Sequence, residues 1–400
     1  MDNVPISGLE ELDKHLDELV QDANLALTPK IFDDVELQLT ESNIPPLIPR
    51  FLPRLTTLLQ QYTKDPAAIV TLSIKLLRPI PFTQVLQLAS EESLVAALSS
   101  SSPQVNLLAL TILHKAAASP ADAAILSIMP FLFSTFLVTW LGSPHVEVGQ
   151  RALKVLGDLL DIDCPLPPPP PPPPAAPSPI STGGGTTHLE LVLRKAPGKG
   201  ALWNLLFESE QTYTLVLDLV SARHPATSGN PRQLSLAQGR VLRILPRLAC
   251  LNLRAISTSS LRPPPPPSTP ARFTNGHGHS SSPDDVQEIF SRPKSGEGLL
   301  QFAALHMIDR QDVLMHLSLV DFFEAFVSLM RLTEYSLHKV EVTKALLREA
   351  LKNDEVLREA LVTLPDRTVE DEADGLRRWL AEILPPTTTT NEDTRDMVIR

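Results

Sequence analysis

The sequence predicts an all-α solenoid, a stack of short helical repeats, on three observations. First, the stretch 143–161, SPHVEVGQRALKVLGDLLD, is echoed by SPQVNLLALTILHKA, beginning about 40 residues earlier at Ser102. Each copy opens on Ser-Pro-x-Val. Serine can cap free backbone N–H groups, and proline at the first helical position sacrifices no hydrogen bond. Second, apolar and small residues recur at helical spacing behind each start. They are Val105, Leu108, Ala109 and Ile112 in one copy, and Gly149, Ala152, Leu153, Leu156 and Leu160 in the other. Third, no train of alternating apolar and polar residues marks a half-buried strand. The period matches armadillo and HEAT repeats. The expected fold is therefore an armadillo/HEAT-like α-solenoid with proline-rich loop insertions.

Taken in order, Leu9 to Leu27 reads as an amphipathic helix with Leu9, Leu12, Leu16, Leu19 and Val20 on one face. Phe32 to Leu39 and Leu47 to Tyr62 continue the pattern, broken by Pro45, Pro46, Pro49 and Pro53. Ala67 to Leu77 and Val85 to Leu98 make a further pair, so residues 1–163 read as about four helical pairs. Residues 164–187 form an insertion with eight consecutive prolines at 167–174 and glycines at 183–185. Polyproline has no internal hydrogen bonds and cannot continue a helix, which suits an exposed spacer. Central repeats over 188–261 include Gly200 to Val220 and Leu234 to Leu253. A second insertion, 262–284, carries prolines 263–267 and then NGHGHSSS. The C-terminal repeats span 285–386, densest in apolar residues from Leu299 to Leu332, with Val340 to Leu364 as a mixed-charge helix or pair and Gly375 to Leu384 as the last helix. Residues 387–400 read as a tail.

Composition narrows the function classes. With a formal charge of −11, the chain disfavours extended contact with phosphate backbones. Two cysteines, Cys164 and Cys250, cannot make a disulfide framework and suit a reducing compartment, the cytoplasm or the nucleus. The N-terminus has no basic region followed by an apolar one, so it does not read as a secretory signal. Ala123 to Trp140 holds no charge and passes a first test for a membrane span. Pro130 mid-run and the lack of a Lys/Arg bias favour two buried helices meeting at that proline, in a soluble protein.

No catalytic constellation emerges, and neither cofactor nor metal is expected. Pro197-Gly198-Lys199-Gly200 lacks the earlier glycine and the following Ser/Thr of a phosphate-binding loop. His277 and His279 lack a matching ligand cluster. His306 and His316 sit in apolar helical sequence and read as hydrogen-bonded structural histidines. Asp309 and Asp312 read as turn and cap residues. Cys250 reads as a small buried side chain.

The basic residues form a more specific pattern. Arg240, Arg243, Arg247 and Arg254 share one helix face, and Arg240 and Arg243 align with Arg151 and Lys154 of the opening repeat. If the two helices are neighbours, Arg151, Lys154, Arg240, Arg243 and Arg247 form a basic ladder. Such a ladder on the concave side would meet carboxylates of a protein partner. The bland alternative is a solvated face.

Several stretches also resemble a known family. They are GKGALWNLLFESEQTYTLVLDL from Gly198, LSLAQGRVLRILPRLACL from Leu234, GEGLLQFAALHMIDRQDVLMHLSLVDFF from Gly296, and VLREALVTLPDRTVEDEADGLRRWLAEILP from Val356. Together they resemble the 26S proteasome non-ATPase regulatory subunit 5 family of base-assembly chaperones, whose fungal members are named DNA mismatch repair proteins. The N-terminal repeats agree in character, not in motif. The resemblance implies a non-catalytic, monomeric solenoid. It would bind the C-terminal domain of an AAA-ATPase subunit of the proteasome base, the first of the six, within an assembly module. The mismatch-repair name finds no nucleic-acid motif to support it here. A competing expectation is a general scaffold or adaptor recruited through the polyproline runs.

Overall fold

The computed structural model describes residues 6–22, 24–62, 64–165, 197–261 and 296–385. The polyproline runs, His277, His279, the helical restarts at Leu189 and Val286 and the 387–400 tail lie outside the described residues. Among the described residues there are 18 α-helices and no β-strand, with one antiparallel bridge between Thr258 and Glu297. The all-α expectation holds. The chain divides into two compact units, Met1–Ile244 and Leu245–Arg400.

The first unit begins with two helical pairs, α1 (Leu9–Gln21) with α2 (Pro29–Glu36) and α3 (Ile48–Gln61) with α4 (Ala67–Leu77). Leu12, Leu16 and Leu19 of α1 are fully buried against Phe32, Phe51, Leu55 and Leu58. From there the repeat gains a third, short helix. The sets are α5 (Phe82–Leu88), α6 (Glu91–Leu98) and α7 (Pro103–His114), then α8 (Pro120–Ser127), α9 (Pro130–Gly142) and α10 (Val146–Ile162). The next set is α11 (Ala201–Phe207), α12 (Glu210–Val220) and α13 (Pro231–Ser257), which crosses the unit boundary and is interrupted at Asn252. The four pairs expected before residue 163 are thus two pairs and two triplets. Caps cut the extra helices out of what reads as one run. Ser90 Oγ accepts the Ser93 N–H at 3.3 Å to start α6, and Ser119 Oγ accepts the Asp122 N–H at 3.1 Å at the first turn of α8.

The helices form rows. One row runs α2, α4, α7, α10, each packed on the next, and α6, α9 and α12 pack in sequence in another. This is the side-by-side burial that a solenoid requires. The uncharged run 123–140 is split as expected: α8 and α9 meet at 95° with Pro130 in the first turn of α9.

The helix starts differ in detail from the expectation. Pro103 does open α7, yet the Ser102 side chain makes no capping bond. In the second copy the helix begins only at Val146, beyond Ser143-Pro144. Donors from a neighbouring helix hold this turn instead: Gln233 Nε2 donates to Leu141 O at 2.9 Å and to Ser143 O at 3.3 Å.

In the second unit, α14 (Leu299–Leu305), α15 (Val313–Leu332) and α16 (Leu337–Ala350) repeat the triplet order, followed by α17 (Glu355–Thr363) and α18 (Glu370–Ile383). Helix α15 is long and apolar enough to cross a bilayer by length and composition, and 44% of it is buried. Asp312 caps it, accepting from Leu314 and Met315 N–H groups at 2.9 and 3.2 Å. His316 Nε2 lies 2.8 Å from Asp354, which also caps α17 through the Leu357 N–H at 2.9 Å.

Burial pushes the Cys250 thiol up to about 11, against the opposing pull of the Lys339 ammonium. At pH 8 only about one part in a thousand is thiolate. Iodoacetamide should therefore leave Cys250 unmodified in the native protein and alkylate it in denaturant, as peptide mass spectrometry would show. Cys250 is thus half-buried, not the fully buried side chain expected, and rapid native alkylation would contradict its raised thiol.

Residues 166–196 and 262–295 each fall between the third helix of one repeat and the short first helix of the next. A Gly-x-Gly closes each junction. Gly198 N–H donates to Cys164 O at 2.7 Å, and Gly298 N–H donates to Ser257 O at 3.3 Å. A Cβ on Gly198 would lie 2.1 Å from the Asp163 carbonyl carbon, and one on Gly298 would lie 2.3 Å from Ile256 O. No side chain fits such approaches. The Gly-Lys-Gly element is thus a chain-closing turn.

Candidate partner-binding groove

The residues expected to make a basic ladder fall in different environments. On α10, Arg151 is partly buried and Lys154 is exposed. Arg243 is exposed on α13 at the position that aligns with Lys154, and Arg247, partly buried, lies past Ile244 in the second unit.

Arg240 must be corrected. It is 6% exposed and cannot meet a partner. Its Nη1 donates to Trp140 O at 2.8 Å and Leu141 O at 3.3 Å, and its Nη2 donates to His145 O at 3.3 Å. Trp140 O and Leu141 O lie at the α9 end, where a helix leaves acceptors without intrahelical donors, and His145 O belongs to the cap of α10. Gly149 makes the room, since a Cβ there would stand 2.2 Å from Arg240 Cζ. Burial, together with the charge of Arg243, brings the guanidinium down to about 10, so it remains a cation at neutral pH. The alignment of Arg240 with Arg151 matched sequence positions whose side chains have different jobs.

Arg151 instead joins a groove of about 370 Å³ on the α2–α4–α7–α10 row of the first unit. Helix α4 contributes Thr71 and Lys75, and Arg78, still helical in backbone, follows at its end on the same face. Thr111 and His114 come from α7, and Lys115 follows it. Glu36 of α2 is the one carboxylate in the lining. The sequence analysis missed Lys75, Arg78 and Lys115. Their signal was a cation at or just past the C-terminal end of α4 and of α7.

Hydrogen bonds fix much of this wall. Lys115 Nζ donates to Arg78 O at 3.1 Å and Ile80 O at 2.8 Å, closing the end of α4, and burial lowers its pKa. His114 Nε2 lies 2.7 Å from Asp158 Oδ2, and Arg151 Nη2 lies 3.5 Å from His114 Nδ1. That arrangement assigns the proton to Nε2, leaving Nδ1 to accept from Arg151. Asp158 also takes Lys154 Nζ at 2.8 Å. Asp158 therefore neutralises the α10 side outside the groove, while Arg78 pairs only with exposed Glu41 at 3.5 Å. The wall presents donors and positive charge, which suits it to binding.

Among the described residues, no group of three or more His, Cys, Asp or Glu is placed to hold a metal ion. A second concavity of about 500 Å³, lined by Leu59, Leu77, Val85, Leu88, Val105 and Leu108 among others, is apolar and lies between α3 and α5–α7.

Residues 10–138 match the family model described as DNA mismatch repair protein HSM3, N terminal domain. The match lies within the first unit and covers less than half of the chain. The matched segment runs from α1 into α9 and contains Lys75, Arg78, His114 and Lys115, while Arg151 lies beyond it. The HSM3 description is the kind of name expected for fungal members of the chaperone family that the sequence resembles. The match falls on the N-terminal repeats, which had agreed with that family in character alone. No curated protein and no solved structure matches the chain.

Proposed function

We propose that this protein is a non-catalytic chaperone for assembly of the 26S proteasome regulatory-particle base. In this reading its helical row binds the C-terminal domain of one AAA-ATPase subunit, the first of the six. The observation that carries the reading is the HSM3 N-terminal match on stacked helical repeats, beside the family resemblance of the later stretches. A stack of repeats leaves one long face of each row free, which suits the capture of a folded domain. A chaperone on an ATPase C-terminal domain blocks premature docking on the core particle by occupying space. The reading makes the protein a soluble monomer of the cytoplasm, and also of the nucleus, without cofactor. The name's mismatch-repair wording draws no support from the acidic net charge of −11.

The adaptor reading rests on the proline run 167–174. Deleting 167–174 from the tagged protein separates the two. The chaperone keeps its ATPase partner in affinity purification at wild-type yield, whereas a polyproline adaptor loses its ligand. Loss of the ATPase on that deletion contradicts the chaperone reading.

A further inference from the structure

The geometry points to a specific ligand for the groove between α4, α7 and α10: an extended acidic protein segment whose carboxylates recur at every third residue. This rests on the chaperone reading only for which protein carries the segment.

The first argument is charge. Lys75, Arg78, Lys115 and Arg151 converge on one concavity that holds a single carboxylate, Glu36, in a chain with a net charge of −11. Elsewhere cations are met by acids across neighbouring helices: Arg54 by Asp17 at 2.8 Å, Arg331 by Glu372 at 2.6 Å, and Arg367 by Glu324 at 2.7 Å. Here Asp158 of α10 is turned to His114 and Lys154, and Arg78 meets exposed Glu41 only at the longer distance of 3.5 Å. The groove is positive because its natural counter-charge is used elsewhere, and an incoming carboxylate supplies it.

The second argument is spacing. Lys75 and Arg78, Lys115, and Arg151 come from or directly follow three successive helices of one row. Packed helix axes stand about 8–10 Å apart. An extended chain advances about 3.3–3.6 Å per residue, so carboxylates three residues apart recur at about 10 Å and meet one helix each. The Thr71 and Thr111 hydroxyls donate back to Ala68 O at 3.1 Å and Leu107 O at 2.8 Å, which leaves the cations as the donors of the wall, and Ile74 offers apolar surface to the stems of such carboxylates.

The third argument excludes a nucleic acid. Helix α2 borders the groove with exposed Asp33 and Asp34 beside Glu36. A duplex carries one charge per about 1.7 Å and cannot skip these acids. A peptide can place uncharged residues opposite them.

The test uses the full chain and a fluorescein-labelled peptide of four Glu-Ser-Ser repeats, read by fluorescence anisotropy. Binding should weaken with added salt and fall at least about tenfold in Lys75→Glu/Arg78→Glu. The charge-matched control Arg243→Glu/Arg254→Glu, at exposed positions outside the groove, should bind within about twofold of wild type. The neutral variant Lys75→Gln/Arg78→Gln, which brings in no new charge, should show an intermediate loss. The inference is overturned if the peptide does not bind, if both reversals weaken it equally, or if a labelled duplex oligonucleotide binds more tightly through the same residues. Retention of the ATPase partner by Lys75→Glu/Arg78→Glu would overturn the groove's role and leave the chaperone reading standing. Absence of any ATPase from the wild-type purification would count against that reading, whatever the peptide does.

Discussion

Arg240→Ala should destabilise the first unit by about 3–4 kcal/mol and lower its thermal midpoint by about 6–15 °C. The guanidinium supplies donors to two backbone carbonyls at the end of α9 and one at the cap of α10, and fills the notch over Gly149. Alanine leaves Trp140 O, Leu141 O and His145 O short of donors in a buried place and opens a cavity beside them. Lysine keeps the charge but not the planar fork, so Arg240→Lys should lose an intermediate amount. Arg243→Glu, three residues along the same helix and exposed, should stay within about 0.5 kcal/mol of wild type. Thermal scans of the three variants check the assignment. Equal midpoints for Arg240→Ala and Arg243→Glu would return Arg240 to the surface.

The junction beside Asp163 should be almost as sensitive. Asp163 is fully buried, and its carboxylate accepts the Lys199 N–H at 3.2 Å and the Leu202 N–H at 2.6 Å, capping α11. Trp203 Nε1 adds a bond to Leu160 O at 2.8 Å. Asp163→Ala should cost about 2–3 kcal/mol by leaving buried N–H groups unpaired. Gly198→Val should cost at least as much, because its Cβ would enter the Asp163 backbone. Burial raises the Asp163 carboxyl above its ordinary value against the N–H groups of Leu202, Trp203, Lys199 and Gly200. The fold thus favours its protonated form. Its contribution is fully present below the ordinary carboxylate value and is lost as pH rises through the raised one. Urea titrations should therefore show a larger Asp163→Ala deficit near pH 4 than at pH 8.

The sequence disclosed the fold class because apolar spacing reports which face of a helix is buried, and that property is local. The repeat of Ser102 at Ser143 located two helices of one row, and Pro130 located the corner between α8 and α9. The short helices α5 and α11 were hidden because each runs into the next helix without a change of apolar spacing. A capping serine or a single turn makes the break. The site was harder to read because a cation at a helix end has two uses that look alike in sequence. Arg240 turns inward to close carbonyls, Lys75 and Arg78 line a groove, and Lys115 does both, and only the neighbouring helices decide which. Arg151 was found, but its companions were sought on α13, in the wrong direction along the row.

The central claim is that a row of these repeats captures the C-terminal domain of a proteasomal ATPase. Native mass spectrometry of the full chain mixed with the isolated C-terminal domain of the first base ATPase tests it most directly. The account predicts a one-to-one complex that resists dilution to low micromolar concentration and that does not form with the C-terminal domains of the other five. Free components at every ratio, or equal binding to all six domains, would contradict it.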